Sequence, residues 1–510
     1  MPPSAAPVSE TRQNSLALGA VCIAALMFGL EISSIPVILP TLETVLGASF
    51  KDMQWIMNAY TIACTTVLMA TGSLADRFGR RRVFALATAG FAVTSLICGL
   101  APSAFVLIIM RFLQGMAGGA MFICTIAVLS HQFQVGSERA RAFALWGVIA
   151  GIGLGFGPII GGLIVALSTW QWVFLVHVPL AALVLALTFA GVNESRDPEA
   201  KRLDLLGIVT LTAAVFGLTY TITQGADLGF ASPTALAIIA VTAASLVAFV
   251  AAERFAAHPM FDFSVFKVRN FTGAIFGCVG MNFSYWPFMI YLPIYFTIGL
   301  GYDSKTTGLV LLAYTLPFLV MPPIAQYLLV RYHARRVIPL GLFTIGLGFI
   351  LMRLGSGVTE PSGLTLLPGA LVSGIGIGLT NTPVTDTTTG SVSADRSGMA
   401  SGIDTSARLI ALAINIAVMG FVLVEGVLAT LKSVLPSLGA AQLRVLAERI
   451  AAGNATSAPE LSDAIVHQAL TNGFGWVMLY GGIGVWMLAA MSFLIFNVRS
   501  VSQAKVRCPN

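Results

Sequence analysis

The sequence predicts an all-α polytopic membrane protein, and three observations carry that reading. Of its 510 residues, 57% are hydrophobic and only 10% charged, with a mean hydropathy of +0.88, whereas a soluble globular chain carries roughly 25% charged residues. Apolar runs of about 20 residues, enough to cross a bilayer as a helix, recur along almost the whole length. Lipid offers no partner to a free backbone group and the runs are too long for barrel strands, so the spans are expected to be α-helices in one membrane domain.

Runs bounded by charge, Pro or Gly give fourteen expected spans. Six lie near 15–38, 55–75, 83–101, 104–132, 142–167 and 172–192, and two more near 204–224 and 234–253. The last six lie near 271–298, 306–330, 337–354, 364–386, 401–431 and 473–497. Orientation follows from the loop after the second span, Gly72-Ser-Leu-Ala-Asp76-Arg77-Phe-Gly79-Arg80-Arg81-Arg82, whose four arginines cannot lie in lipid. The positive-inside rule assigns it to the cytoplasm.

Counting outward, the inner loops hold Arg139/Arg141, Arg196/Lys201/Arg202, Arg254/Lys267/Arg269, Arg331/Arg335/Arg336 and Asp395/Arg396. The outer loops hold Asp227, Asp303 with Lys305, and Glu360. Arg499, Lys505 and Arg507 fit a cytoplasmic tail, so both termini are expected inside. In the longest outer loop, about 432–470, Leu443, Leu446 and Ile450 recur at helical spacing and suggest a short interfacial helix.

A repeat lies within this pattern. Gly72-x-Leu74-x-Asp76-Arg77-x-Gly79-x-Arg81-Arg82 aligns with Gln326-x-Leu328-x-Val330-Arg331-x-His333-x-Arg335-Arg336, each just after the second span of a six-span block. The expected organisation is a tail (1–14), a six-helix bundle (15–192), two inserted helices with linkers (193–269), a second six-helix bundle (270–497) and a tail (498–510).

Several function classes drop out. The net charge of +6 is spread through short loops, so it reports topology and points to no nucleic-acid partner. Cys22, Cys64, Cys98, Cys124 and Cys278 fall inside apolar runs without CxxC spacing and read as packing residues. There is no GxxxxGK[ST] string, metal-ligand cluster or nucleophile triad. No catalytic residue, metal or cofactor is therefore expected, and the energy source of a transporter here would be an ion gradient. No cleaved signal peptide is expected, because the first apolar run lacks a small-residue cleavage site.

Charges inside the spans are the candidate functional groups. Glu31 falls mid-span in the first helix, where a carboxyl group stays protonated unless a cation or proton-accepting cavity is near. Arg111 opens Arg111-Phe-Leu-Gln-Gly115-x-x-Gly118-Gly119 about two turns into the fourth span, and reads either as a paired functional group or as a snorkelling side chain. The fifth span carries Gly151-x-Gly153-x-Gly155-x-Gly157-Pro158-x-x-Gly161-Gly162, whose glycine spacing permits close helix contact and whose proline removes one donor. Asp404 and Arg408 are four apart on one face, a structural or a functional pair. Asn282, Tyr285 and Trp286 belong to an aromatic-rich ninth span that suits either core packing or a cavity for flat lipophilic cations.

Together these strings resemble the major facilitator superfamily over nearly the whole chain, in particular its fourteen-span drug:proton antiporter branch. The resemblance implies two six-helix bundles plus two inserted helices. It makes Gly72, Asp76, Arg77, Gly79 and Arg81 a cytoplasmic latch that locks the halves outward-facing. Glu31, where an Asp is usual, and Arg111 would couple protons, and Gly153, Gly157, Pro158, Gly161 and Gly162 match the antiporter motif of proton-coupled exporters. His177 stands in Trp170-Gln-Trp172-Val-Phe174-Leu-Val-His177-Val-Pro179 where the branch usually has Asn, and is expected to be a hydrogen-bonded structural residue.

The function implied is proton-coupled export of drugs or other amphipathic organic compounds across the plasma membrane, with substrate, protons and membrane lipid as the partners. An exporter dedicated to one metabolite, such as a siderophore or fatty acid, would use the same residues. A non-transporting sensor or a symporter fits the motifs less well. The sequence carries no signal for an adaptor protein.

Overall fold

The computed structural model describes residues 8–133, 136–196, 205–255, 263–392, 397–452 and 462–496. The expectations placed on Lys201/Arg202, Asp395/Arg396 and Arg499/Lys505/Arg507 lie outside the described residues, as does the side chain of Asp76. All regular structure among the described residues is helical. The first half comprises α1 (Val8–Leu46), α2 (Phe50–Phe78), α3 (Arg80–Gly99), α4 (Ala104–Gln132), α5 (Gly136–Leu167), α6 (Trp172–Leu175) and α7 (His177–Gly191). An inserted pair follows, α8 (Leu205–Leu228) and α9 (Pro233–Phe255).

The second half begins with α10 (Arg269–Phe283) and α11 (Tyr285–Ile294), which runs into a π-helical turn (Tyr295–Gly299). It continues through α12 (Ser304–Val320), α13 (Pro322–Tyr332), α14 (Ala334–Ser356), α15 (Gly363–Gly390), α16 (Ser397–Val434), α17 (Ala440–Ala452) and α18 (Asp463–Ile495).

Twelve helical stretches among the described residues are long and apolar enough to cross a membrane. The other two expected spans lie in α2, which is 29 residues long, and in α10 with α11, 15 and 10 residues. Proline explains the interruptions, since it offers no N–H to the carbonyl four residues back and its ring crowds that carbonyl. Pro287 ends α10 at Phe283, Pro179 leaves α6 ending at Leu175, and Pro322 starts α13 after the chain turns at Met321. The expected short helix near 443–450 is α17, but its buried face is Leu443, Ala447 and Ile450, with Leu446 only partly covered. Because α17 packs on α16, α18 and α2, Ala447 lies in the direction that has a neighbour.

The two halves use one packing plan. In the first, α1 packs on α4, α5 and α7, α4 on α2 and α3, and α3 on α7. In the second, α10 packs on α15, α16 and α18, α15 on α12 and α14, and α14 on α18. Between the halves, α2 meets α16, and α12 meets α5. Equivalent helices also start alike. Side-chain caps from Ser49 and Asp303 begin α2 and α12, and caps from Ser103 and Ser362 begin α4 and α15. The inserted α8 covers the α2/α16 seam, while α9 packs mainly on α8.

At the end opposite the basic loops the halves are tied together. Gln54 Nε2 donates to the Tyr291 hydroxyl at 3.0 Å, and that hydroxyl donates to the Ile416 carbonyl at 2.5 Å. Lys51 on α2 lies 3.7 Å from Glu448 on α17, and Arg444 reaches Glu425 on α16 at 3.1 Å.

The aligned basic loops share a backbone conformation. Gly79 turns between α2 and α3 at φ 110°, and His333 turns between α13 and α14 at φ 64°, ψ 155°. His333 is the one non-glycine with positive φ among the described residues, in a region that essentially only glycine occupies. His333→Gly is expected to raise the thermal unfolding midpoint in detergent, a gain of about 1 kcal/mol after glycine's own entropy cost. Gly79→Ala should lower it, because its Cβ would also fall 2.5 Å from Glu194 Oε1. An unchanged or lower midpoint for His333→Gly would show that the loop carries no strain.

Candidate functional site

The first half buries a charged cluster between α1, α2, α4 and α7. Its assembly begins with glycines. On α4, Gly115 sits against the Tyr60 backbone and Gly119 has the Cys64 backbone 3.1 Å from where a Cβ would stand, so α2 and α4 touch main chain to main chain. Cys64 Sγ donates to the Gly115 carbonyl at 3.1 Å. This approach brings Arg111 within reach of α2, where its Nε donates to the Ile56 carbonyl at 3.0 Å and its guanidinium lies over the Tyr60 ring, 4.3 Å from the centroid.

Arg111 is wholly buried, so the snorkelling reading does not hold. Its Nη1 donates to Glu31 Oε1 and, at 2.9 Å, to Gln114 Oε1. Glu31 is likewise 0% exposed. Gln114 continues the chain by donating to Ser95 Oγ on α3 at 2.9 Å. Gln114 lies within the arginine string of the fourth span, which gives it no part of its own, and Ser95 carries no sequence signal. Removing either partner of such an ion pair leaves a bare charge in an apolar interior, at a cost of about 3–5 kcal/mol.

The glycine helix positions Glu31. Gly153, Gly157 and Gly161 form one face of α5, against α1. A Cβ on Gly153 would lie 2.7 Å from the Leu26 carbonyl, one on Gly161 would lie 2.8 Å from Ser34 Cβ, and one on Gly157 would collide with Ser33 Oγ. Ser33 Oγ, two residues after Glu31, lies 2.8 Å from the Gly29 carbonyl and 2.9 Å from that of Gly153. Pro158 and Gly162 are buried in the same helix. Another side of α5 faces the second half, where a Cβ on Gly308 of α12 would lie 3.7 Å from the Pro158 carbonyl.

His177 joins the cluster from α7. The break at Val176 starts α7 at His177, which is 1% exposed, with Nε2 2.9 Å from Glu31 Oε2 and the Phe91 ring edge-on at 5.4 Å. The expected structural histidine thus has the candidate carboxylate as its neighbour.

The other sequence candidates lie apart from this cluster. Gly72 and Asp76 are on the last turns of α2, and Arg77 is exposed. Arg81 lies against Glu194, beyond α7. The Arg81 backbone N–H donates to Glu194 Oε1 at 3.2 Å, and Arg82 Nε lies 3.4 Å from Oε2. Sequence reasoning missed Glu194, although an acid opening the basic segment after the sixth expected span is a signal that could have found it.

Asp404 and Arg408 pair at 3.0 Å, and Arg408 also donates to Asn381 at 2.5 Å and to Thr385 at 3.0 Å. All of these partners are on α15 and α16 of the second half. Asn282 donates to the Cys278 carbonyl at 2.9 Å. The Tyr285 ring stacks on Tyr314 at 4.1 Å, and each hydroxyl donates to the other's backbone carbonyl. Trp286 packs edge-on against Tyr285 and Phe318. These contacts tie α11 to α12 and occupy the Tyr285 hydroxyl.

Gly157→Ala is expected to lower stability by about 1–3 kcal/mol in detergent unfolding, since its methyl has no space. Gly151→Ala, whose Cβ would meet nothing within 4 Å, should cost nothing. Equal behaviour of the two variants would remove the close α1/α5 contact from the account.

Comparison with known proteins shows the family. The chain is 32% identical over 421 residues to the multidrug resistance protein Stp of Mycobacterium tuberculosis, covering 82% of this chain and 78% of that one. It is 31% identical over 408 residues to the multidrug efflux pump LfrA of Mycolicibacterium smegmatis, covering 79% and 80%. A crystal structure of a D-xylose-proton symporter superposes with a TM-score of 0.60 at 14% identity, covering 86% of this chain and 96% of that one, a likeness of fold alone. Residues 21–416 match the Major Facilitator Superfamily model, and the chain belongs to that superfamily of membrane transporters.

Proposed function

We propose that this transporter is a proton-coupled antiporter that exports drugs or other amphipathic organic compounds across the plasma membrane by alternating access. The observation that carries the proposal is the wholly buried Glu31–Arg111 pair, one carboxylate and one guanidinium inside a helical bundle whose interior is mainly apolar. Intramembrane charge is costly, and an exchange site gives it a use, since a proton and a cationic substrate can compete for one carboxylate. The multidrug resistance and efflux proteins to which the chain is similar support export as the direction.

The fourteen-span reading, with both termini cytoplasmic, follows if α2 crosses the membrane and α10 with α11 makes one bent crossing. The basic-loop end is then cytoplasmic, and the end tied by Gln54–Tyr291 and Lys51–Glu448 is the outer one. A form shut at its outer end is one of the two that alternating access requires. It is also the form in which the cytoplasmic latch, Asp76 with Arg77 and Arg81, would be disengaged.

The test is transport of ethidium, a flat lipophilic cation, in proteoliposomes under an imposed pH gradient. The wild type is expected to drive ethidium against its gradient and Glu31→Gln to lose that drive at least tenfold. Glu31→Asp, which keeps the charge for Arg111, should retain part of it. Full drive in Glu31→Gln would take the carboxylate out of the mechanism, and a wild type indifferent to the pH gradient would overturn proton coupling.

A further inference from the structure

The contact between Glu31 and His177 must hold a proton. Their facing atoms, Oε2 and Nε2, are 2.9 Å apart with both side chains buried. Two bare acceptors at that distance would repel in a medium where nothing screens them. Either Nε2 carries the hydrogen and faces a carboxylate, or Oε2 carries it and faces a neutral ring. Neither Glu31 Oε2 nor His177 Nδ1 makes a hydrogen bond, so the ring is close to the carboxylate without being locked to it.

Charge decides where the next proton goes. Glu31 Oε1 is already engaged by Arg111, so the ionised pair is neutral as it stands. A proton placed on Glu31 would strip Arg111 of its counter-charge. A proton placed on Nδ1 of His177 leaves that pair intact and sets one carboxylate between two cations, Arg111 bonded to Oε1 and the imidazolium 2.9 Å from Oε2. Among the described residues, the elements packed against α7 supply no other charge to the cluster. α1 supplies Glu31, while α3 supplies Phe91 and the thiol of Cys98, and the short α6 supplies Phe174. Behind Glu31 the remaining titratable groups are Arg111 on α4 and Tyr60 and Cys64 on α2, of which only Arg111 carries charge.

We infer that His177 is the carrier of the coupling proton, held there by the carboxylate of Glu31 across this contact, and that Arg111 is the fixed counter-cation. The step balances without any further reactant: Nδ1 takes up and later gives back the one proton, and Nε2 keeps the hydrogen that faces Oε2. When substrate cation competes for Glu31, the imidazolium loses its counter-ion and releases the proton. The inference rests on the proton coupling proposed above and assigns the atom that carries it.

The experiment measures ethidium binding to purified protein between about pH 5.5 and 8, with the protons released on binding counted in weak buffer. The wild type is expected to bind about tenfold more tightly at the upper end and to release a proton, as a competing imidazolium requires. His177→Asn should bind with an affinity that varies less than about twofold over that range and release none, and His177→Gln should behave alike. The wild-type slope and release persisting in both would overturn the assignment while leaving proton coupling through Glu31 standing.

A wild type that neither releases protons nor responds to a pH gradient would end both readings. Should the variants fail to fold, nitrogen NMR of the wild type labelled at its five histidines decides. An imidazole that loses a proton on ethidium addition supports the inference, and five unmoved imidazoles overturn it.

Discussion

A fully buried ion pair, Glu31 with Arg111, is the constraint on which the first half depends. In an apolar interior neither charge can stand alone, so the helices that carry them must stay in one arrangement. Glycines at Gly115 and Gly119 let α4 approach α2, which gives Arg111 the Ile56 carbonyl and the Tyr60 ring. Glycines at Gly153, Gly157 and Gly161 let α5 lie on α1 beside Glu31. A motif that reads as a packing string in one helix and a motif that reads as a charge in another thus serve one object. The break imposed by Pro179 adds the third member by starting α7 at His177.

The halves repeat their helix contacts but not their chemistry. The same pairs of helices meet, and equivalent helices begin on equivalent caps. Yet the buried charge of the first half runs from α4 to α1, while that of the second runs along α16 and across to α15, through Asp404, Arg408 and Asn381. Aromatic stacking of Tyr285 on Tyr314 fills part of the second half instead. The repeated loops differ in the same way. Gly79 and His333 adopt similar left-handed turns, but among the described residues an acid, Glu194, is seen against the arginines of the first loop alone.

Much of the fold was legible in the sequence. Lipid leaves backbone groups no alternative to helix, so composition and run length determined the helical class and the approximate position of the twelve described stretches long and apolar enough to cross a membrane. Glu31, Arg111 and the glycine helix were legible too. A charge in an apolar run needs a partner or a use, and glycines three and four apart leave room for a second helix. Sequence alone did not determine which partners these residues take. Glu31 lies 80 positions from Arg111, and His177 is further still along the chain, and no local pattern encodes contacts across such a distance. Gln114, Ser95 and Glu194 gained their parts only when packing brought helices together. His177 is the clearest case, an ordinary histidine in the chain that became a carboxylate's neighbour because a proline broke one helix and glycines drew others close.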